Sequence, residues 1–172
     1  MSSFETFTIK RLKIARTAFD RERNPDWYDP TFVTKTQLGQ INALLGASVK
    51  REVALTASEL ITRADQPTAF VLAAFDGSDL EQANVVAIGG LVFVTSLTEK
   101  IGRLCELAFS PDLGDAMGLA RELVRLMNAE IIALNFDRIE LSRDDLYRLL
   151  PDGVPTKRHR RMTLDLDITE AG

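Results

Sequence analysis

Three apolar runs separated by short polar turns constrain the fold of this chain more than any other feature of its sequence. They cover Ala69 to Phe75, Val85 to Val94 and Leu104 to Phe109, and they are rich in residues that favour strands. Asp76-Gly77 ends the first run, and we expect a turn around Lys100 to Gly102 before the third. Because their connections are short, these strands are predicted to form an antiparallel meander.

A long helix and a further strand are predicted after the meander. The segment from Asp115 to Asn135 has apolar side chains at helical spacing, and Asp115 suits the cap or the first turn of that helix. Arg138 to Leu141 then predicts a short strand. A strand–helix–strand connection within one sheet makes a right-handed crossover, so we expect the strands before and after the helix to be parallel.

The segments that flank this region also have readable patterns. Thr6 to Leu12 alternates and predicts a first strand. Two helices should follow, one from Lys35 to about Leu45, capped by Thr34 and ended by Gly46, and one from Val49 to Arg63.

Beyond Leu141, Asp144 to Leu150 predicts a short helix and Arg160 to Leu166 a last strand, with Asp167 to Gly172 as a frayed tail. The order of elements predicts an α/β fold with a mixed, mostly antiparallel central sheet and helices on both faces.

Composition narrows the classes of protein. The chain has 172 residues and a net charge of -4, with one cysteine and one histidine. We therefore expect a single domain over residues 1–172, with no internal disulfide and no structural zinc site built on His and Cys. A carboxylate-only metal site stays open. The mild acidity makes a nucleic-acid partner unlikely, because binding phosphates needs a basic face.

No targeting or membrane segment is visible. No apolar run approaches the roughly 20 residues that a membrane helix needs, and Met1 to Lys13 mixes charged and apolar side chains too evenly for a signal peptide. We expect a cytoplasmic protein. The sequence also lacks the G-x-x-x-x-G-K-[ST] loop of P-loop nucleotidases and the G-x-S-x-G elbow of many hydrolases.

The segment from Glu106 to Leu166 resembles the GNAT superfamily of acyl-CoA-dependent N-acetyltransferases. The resemblance rests on a strand, turn and helix from Cys105 to Val124, then on a strand at Ile139 to Ser142 and a helix with Tyr147 to Leu150. It implies a GNAT-like fold and direct transfer of an acetyl or other acyl group from acetyl-CoA, or another acyl-CoA, to a primary amine. The amine would belong to a small molecule or a peptide, and a homodimer would fit the family. The alternative is a catalytically silent GNAT-fold protein that binds or regulates.

The resemblance also implies where acetyl-CoA would bind. In this family the pyrophosphate lies at the start of the helix, and the pantetheine runs between two splayed strands. A helix start suits an anion because its backbone N–H groups are unpaired, and a glycine-bearing turn lets the backbone approach closely. The residues that this implies are Leu107, Ala108, Phe109, Leu113, Gly114, Ala116, Gly118, Leu119 and Ala120.

The turn departs from the family pattern in one respect that affects charge. Asp115 stands where the family has Arg or Gln, the turn needs one extra residue, and Asp112 adds a second carboxylate. Each anion beside a pyrophosphate costs on the order of 1 kcal/mol. Asp115 is therefore either a simple helix cap or part of a turn that binds the cofactor weakly, with Arg121 as one possible compensating cation.

Acyl transfer to an amine needs a base for the ammonium and an acid for the leaving thiolate. Some family members carry a general-base glutamate on the strand before the turn, which implies Glu106. We expect its side chain on the face shared by Leu104 and Ala108, where apolar neighbours would raise its pKa; the alternative is an ordinary surface glutamate. The family often takes the acid from the last helix, where the matching position is Leu149 and the only tyrosine is Tyr147. Tyr147 is therefore the candidate acid, and a packing role is its alternative.

Overall fold

A mixed five-stranded sheet organises the protein. The computed structural model describes residues 7–12 and 33–141. In chain order, the described elements are β1 (Thr8–Arg11), α1 (Lys35–Val49), α2 (Ala57–Ala64), β2 (Ala69–Phe75), β3 (Val85–Thr95), β4 (Lys100–Phe109), α3 (Ala116–Ala133) and β5 (Arg138–Leu141). The predicted helix at 144–150, the strand at 160–166 and the tail at 167–172 lie outside the described residues.

The spatial order of the strands equals their order in the chain, β1-β2-β3-β4-β5. The first four strands pair antiparallel, whereas β5 pairs parallel to β4. The predicted meander is therefore confirmed. The parallel pair β4–β5 is also confirmed, because α3 carries the chain back to the end of the sheet where β4 begins.

Helices cover both faces of the sheet, as the sequence predicted. Phe70, Leu72 and Ala74 of β2 pack in a core with α3. Ala73 and Phe75 of the same strand belong to a second core with α1 and α2. Because both faces of β2 are buried, its sequence is a continuous apolar run and its limits could be predicted without error.

The first helix is longer than predicted. We expected Gly46 to end it, but α1 continues to Val49, and Lys50 caps it in the left-handed conformation at φ 55°. A Cβ on Gly46 would lie 3.0 Å from the carbonyl oxygen of Arg51. Gly46 thus allows the chain leaving α1 to fold back closely onto the helix, rather than stopping it.

The second helix begins at Ala57, so the predicted helix from Val49 is wrong over its first half. Thr56 and Glu59 form a capping box: the Thr56 hydroxyl accepts the Glu59 N–H at 3.2 Å, and the Glu59 carboxylate accepts the Thr56 N–H at 2.8 Å. Before it, the Asn42 side chain makes two hydrogen bonds with the backbone of Leu55. These bonds give the backbone of Leu55 its partners without a helix.

The turn between β3 and β4 lies earlier than predicted. Ser96 and Glu99 close it, with the Ser96 N–H donating to the Glu99 carbonyl at 2.8 Å. The expected turn residues, Lys100 to Gly102, belong instead to β4. Gly102 serves packing there, because a Cβ on it would collide with Ile131 of α3.

Candidate functional site

Within the described residues, which end at Leu141, strand β5 pairs with the first part of β4. Their ladder runs from Ile101–Arg138 to Leu104–Leu141. On its other side β4 stays paired with β3 as far as Phe109. Beyond Leu104, the edge of β4 that faces away from β3 therefore has no ladder partner among the residues that the structure describes.

A β-bulge lies in β4 just after Leu104. Gly90 of β3 pairs with Glu106 and Leu91 pairs with Leu104, which leaves Cys105 as an extra residue in β4. An extra residue inverts the alternation of side chains along a strand.

The faces of β4 follow from the bulge. Leu104 and Leu107 both lie in the core with α3, whereas Ala108 lies in the core with α1 and α2. Glu106, which precedes Ala108 by two residues, lies on this second face. The expectation that Glu106 shares its face with Ala108 is confirmed, and the expectation that it shares one with Leu104 is wrong, because the bulge lies between them.

Glu106 is a half-buried carboxylate. Its burial raises its pKa above the ordinary value for glutamate. Among the described residues no cation forms an ion pair with it, so nothing offsets the cost of burying its charge. The Cys105 thiol beside it also has a raised pKa, first through burial and then through the charge of Glu106. A carboxyl group with a raised pKa is suited to take a proton near neutral pH.

Backbone groups of β4 are directed to the open edge. The Ser110 N–H donates to the Val86 carbonyl at 2.7 Å, which fixes the alternation of the ladder at this end. By that alternation, the backbone polar groups of Ala108 point to β3, and those of Leu107 and Phe109 point away from it. The side chains of Leu107 and Ala108 are buried, so Leu107 offers only its backbone groups to this edge, as Phe109 does two residues later.

The start of α3 carries a run of unpaired amides. The Leu113 N–H donates to the Ser110 carbonyl, and the Gly118 N–H donates to the Asp115 carboxylate at 2.8 Å. Between them, the amides of residues 114–117 have no acceptor among the residues that the structure describes. Unpaired amides and the helix dipole make such a segment suitable for an anion.

Asp115 is the N-cap of α3, so its expected role as a cap is confirmed, whereas the cofactor-binding turn stays a prediction. The cap would weaken the binding of an anion here, because it occupies the Gly118 amide and places a negative charge next to the free amides of residues 114–117. A Cβ on Gly118 would collide with the Asp115 carboxylate, so Gly118 makes room for the cap. A Cβ on Gly114 would meet nothing within 4 Å, so the described chain leaves open space there.

The remaining residues expected around acetyl-CoA contribute mainly to packing. Leu119 and Ala120 are buried in the core with α3, and Leu113 is half-buried against it. Ala116 is half-buried and supplies one of the free amides. Tyr147, the expected acid, lies outside the described residues.

A groove that the sequence did not suggest lies between β1 and α3. Its volume is about 410 Å³, and its lining residues are Phe7, Ile9, Asp115, Gly118, Leu119, Glu122 and Leu126. Glu122 is held by Arg125 at 2.6 Å, and this contact lowers the pKa of Glu122. Two carboxylates, those of Asp115 and Glu122, line this groove, and they would repel a phosphate placed there.

Comparisons with known proteins identify the fold. No family profile and no curated protein matches the sequence. Among solved structures, an acetyltransferase of Trypanosoma brucei is 16% identical with a TM-score of 0.63, covering 94% of this chain and 100% of its own. Glucosamine-6-phosphate N-acetyltransferase from Arabidopsis thaliana is 12% identical with a TM-score of 0.61, covering 95% and 100%. A GNAT family acetyltransferase of Staphylococcus aureus is 12% identical with a TM-score of 0.56, covering 92% and 99%.

The chain has the GNAT acetyltransferase fold. The resemblance stated from the segment 105–124 is thereby confirmed at the level of the fold. Within this GNAT fold, the described residues contain no group of three or more His, Cys, Asp or Glu side chains arranged to hold a metal ion. Likewise, none of the helices in the described ranges has the length and apolar character needed to cross a membrane.

Proposed function

We propose that this chain is a divergent GNAT acyltransferase, which moves an acetyl or other acyl group from acyl-CoA directly to a primary amine. One observation carries the proposal: a half-buried carboxylate, Glu106, lies on β4 beside the stretch of its edge that has no ladder partner among the described residues. The open edge leaves backbone groups available to a thin chain such as pantetheine. The carboxylate lies beside that edge, where a base is needed.

The residues present fit acyl-CoA in three respects and oppose it in one. The amides of residues 114–117 can donate to the pyrophosphate, and Gly114 leaves space for it. The backbone of Leu107 and that of Phe109 can bond the amide groups of pantetheine along the open edge. The Asp115 carboxylate opposes the pyrophosphate, so the proposal includes weak binding of the cofactor.

In the mechanism, acyl-CoA supplies an activated acyl carbon. Glu106 would remove a proton from the bound ammonium, and its raised pKa makes it a stronger base than an ordinary glutamate. The amine nitrogen would then bond to the acyl carbon as the bond from that carbon to sulfur breaks. The nitrogen loses a second proton as the amide forms, which balances the proton that the leaving sulfur gains. Tyr147 is our candidate for returning a proton to the sulfur.

We assign the acceptor only by class, as an amine-bearing small molecule or peptide. The Arabidopsis protein, which is similar in fold, is named for an amino sugar phosphate. An amine small enough to reach Glu106 beside the β4 edge fits the same geometry. We propose that the reaction takes place in the cytoplasm. We also propose that the protein forms a homodimer, which a measurement of its mass in solution would test.

The test is calorimetry with acetyl-CoA, followed by release of free thiol in the presence of a panel of amines. We expect binding by the wild-type protein and by Glu106→Gln, with thiol release only by the wild type. Absence of both heat and thermal stabilisation at millimolar acetyl-CoA would reject the proposal.

The Asp115 cap favours a second candidate, a GNAT-fold protein that binds but does not catalyse, because it places a charge against the cofactor. This alternative would be favoured if the protein binds acetyl-CoA but releases no thiol with any amine, and if Glu106→Gln leaves the binding of acetyl-CoA unchanged.

A further inference from the structure

Two adjacent glycines in the middle of β3 face opposite layers of the protein. A Cβ on Gly89 would collide with the end of Met127, and it would also contact Leu107 and Leu123. All three belong to the core with α3. The missing side chain of Gly89 therefore lets α3 pack closely on the sheet.

Gly90 has a different surrounding. A Cβ on Gly90 would lie 2.7 Å from the Glu106 Oε2 atom, 3.6 Å from its Cβ and 3.7 Å from its Cδ. Its three nearest neighbours are thus all atoms of one residue. Gly90 and Glu106 are also direct partners across the ladder, at the bulge where Cys105 is extra.

We infer that Gly90 is a positioning residue for Glu106: its missing side chain creates the space in which the Glu106 carboxylate lies against β3. The inference rests on the proposed function, in which Glu106 is the base. Gly90 is in regular strand and does not have a positive φ, so the backbone itself accepts alanine there. Only the end of a flexible side chain has to move.

Burial explains why this position affects the protonation of Glu106. Strand β3 contributes no ionisable side chain. Among the other elements, α1 carries Lys35, β4 itself carries Lys100, Arg103 and Cys105, and β5 carries Arg138 and Glu140. Arg103 and Arg138 are both bound to Glu140. Since desolvation raises the pKa of Glu106, a methyl group that moves the carboxylate towards solvent should lower it.

The experiment is an NMR titration of side-chain carboxyl carbons in protein labelled with ¹³C-glutamate, with the Glu106 signal assigned by its loss in Glu106→Gln. We expect Gly90→Ala to shift the Glu106 midpoint to lower pH. The kcat for acyl transfer should fall about tenfold, with little change in the KM for acetyl-CoA, because a misplaced base affects proton transfer. The pH profile of kcat/KM should move in the same direction as the titration.

Gly89→Ala is the matched control. It adds the same methyl group one residue away, but on the face of α3. We expect it to lower the urea midpoint of unfolding through the collision with Met127, while the Glu106 titration stays at its wild-type position. A Glu106 titration in Gly90→Ala that is indistinguishable from the wild type would overturn the inference.

If Gly90→Ala folds poorly, a double substitution tests whether the loss of stability comes from the collision with Glu106. When Glu106→Ala removes the carboxylate, Gly90→Ala should no longer lower the urea midpoint. If Gly90→Ala lowers the urea midpoint equally with and without the Glu106 side chain, the backbone itself requires glycine at this position, and the inference would be wrong. Neither the Glu106 titration nor the urea midpoint needs a substrate, so a failure to bind acetyl-CoA would count only against the proposed function.

Discussion

Replacing Asp115 with serine separates its role as a helix cap from its charge. Its carboxylate accepts the Gly118 N–H at 2.8 Å, and serine is an equally good N-cap. The free energy of unfolding should therefore fall by no more than about 1 kcal/mol, the value of a charge at a helix N-terminus. The electrostatic effect on a bound phosphate should be of similar size and of opposite sign.

The magnitude follows from Coulomb's law. A phosphate bound by the amides of residues 114–117 would lie next to the carboxylate that caps Gly118. Two unit charges 4 Å apart in water repel by about 1 kcal/mol. Removing the charge of Asp115 should thus lower the Kd for acetyl-CoA about fivefold, and the gain should be larger at low salt, where screening is weaker.

Calorimetric titrations with acetyl-CoA at low and high salt measure this effect. Asp115→Ala should gain affinity too, but lose about 1 kcal/mol of stability with the cap. Glu52→Gln removes the same charge from an exposed residue beyond the end of α1, so the Kd should stay unchanged. If Asp115→Ser folds stably but binds acetyl-CoA no tighter than the wild type, the start of α3 is not the phosphate site.

Three further predictions concern single side chains. Because the pKa of Glu106 is raised on folding, its stabilising contribution is present below about pH 4 and is lost as the pH rises through the raised pKa. Glu106→Gln should therefore unfold at higher urea than the wild type at pH 8. An equal or lower urea midpoint would contradict this. Thr56→Ala removes the cap of α2 and should cost about 1 kcal/mol in urea unfolding, whereas Thr62→Ala, inside the same helix and outside the capping box, should cost less. Gln37 is buried and donates to the carbonyls of Leu80 and Ala83, so Gln37→Leu should cost about 2–4 kcal/mol in the same assay, and a loss below about 1 kcal/mol would show that those carbonyls find other partners.

Elements with strong local signals could be predicted from the sequence. Strand β2 was predicted with its observed limits because it is apolar on both faces, and the cap of α3 by Asp115 followed from residue type alone. The start of α2 was missed, although the signal was present: Thr56 followed three residues later by Glu59 is a capping box. The extension of α1 through Gly46 depends on the chain that folds back onto it, which no local pattern contains.

The geometry of the candidate site depends on one residue whose effect could not be predicted from alternation. Leu104 and Leu107 are both apolar and both face α3, although they are three residues apart. A regular strand would place them on opposite faces, so this spacing is the sequence signal for the extra residue, Cys105. A bulge bends its strand and shifts the register, and here the shift lies between the Gly90–Glu106 and Leu91–Leu104 pairs of β3 and β4. The same irregularity therefore turns Glu106 to the face of α1, which sets the candidate base on the opposite side of the sheet from α3.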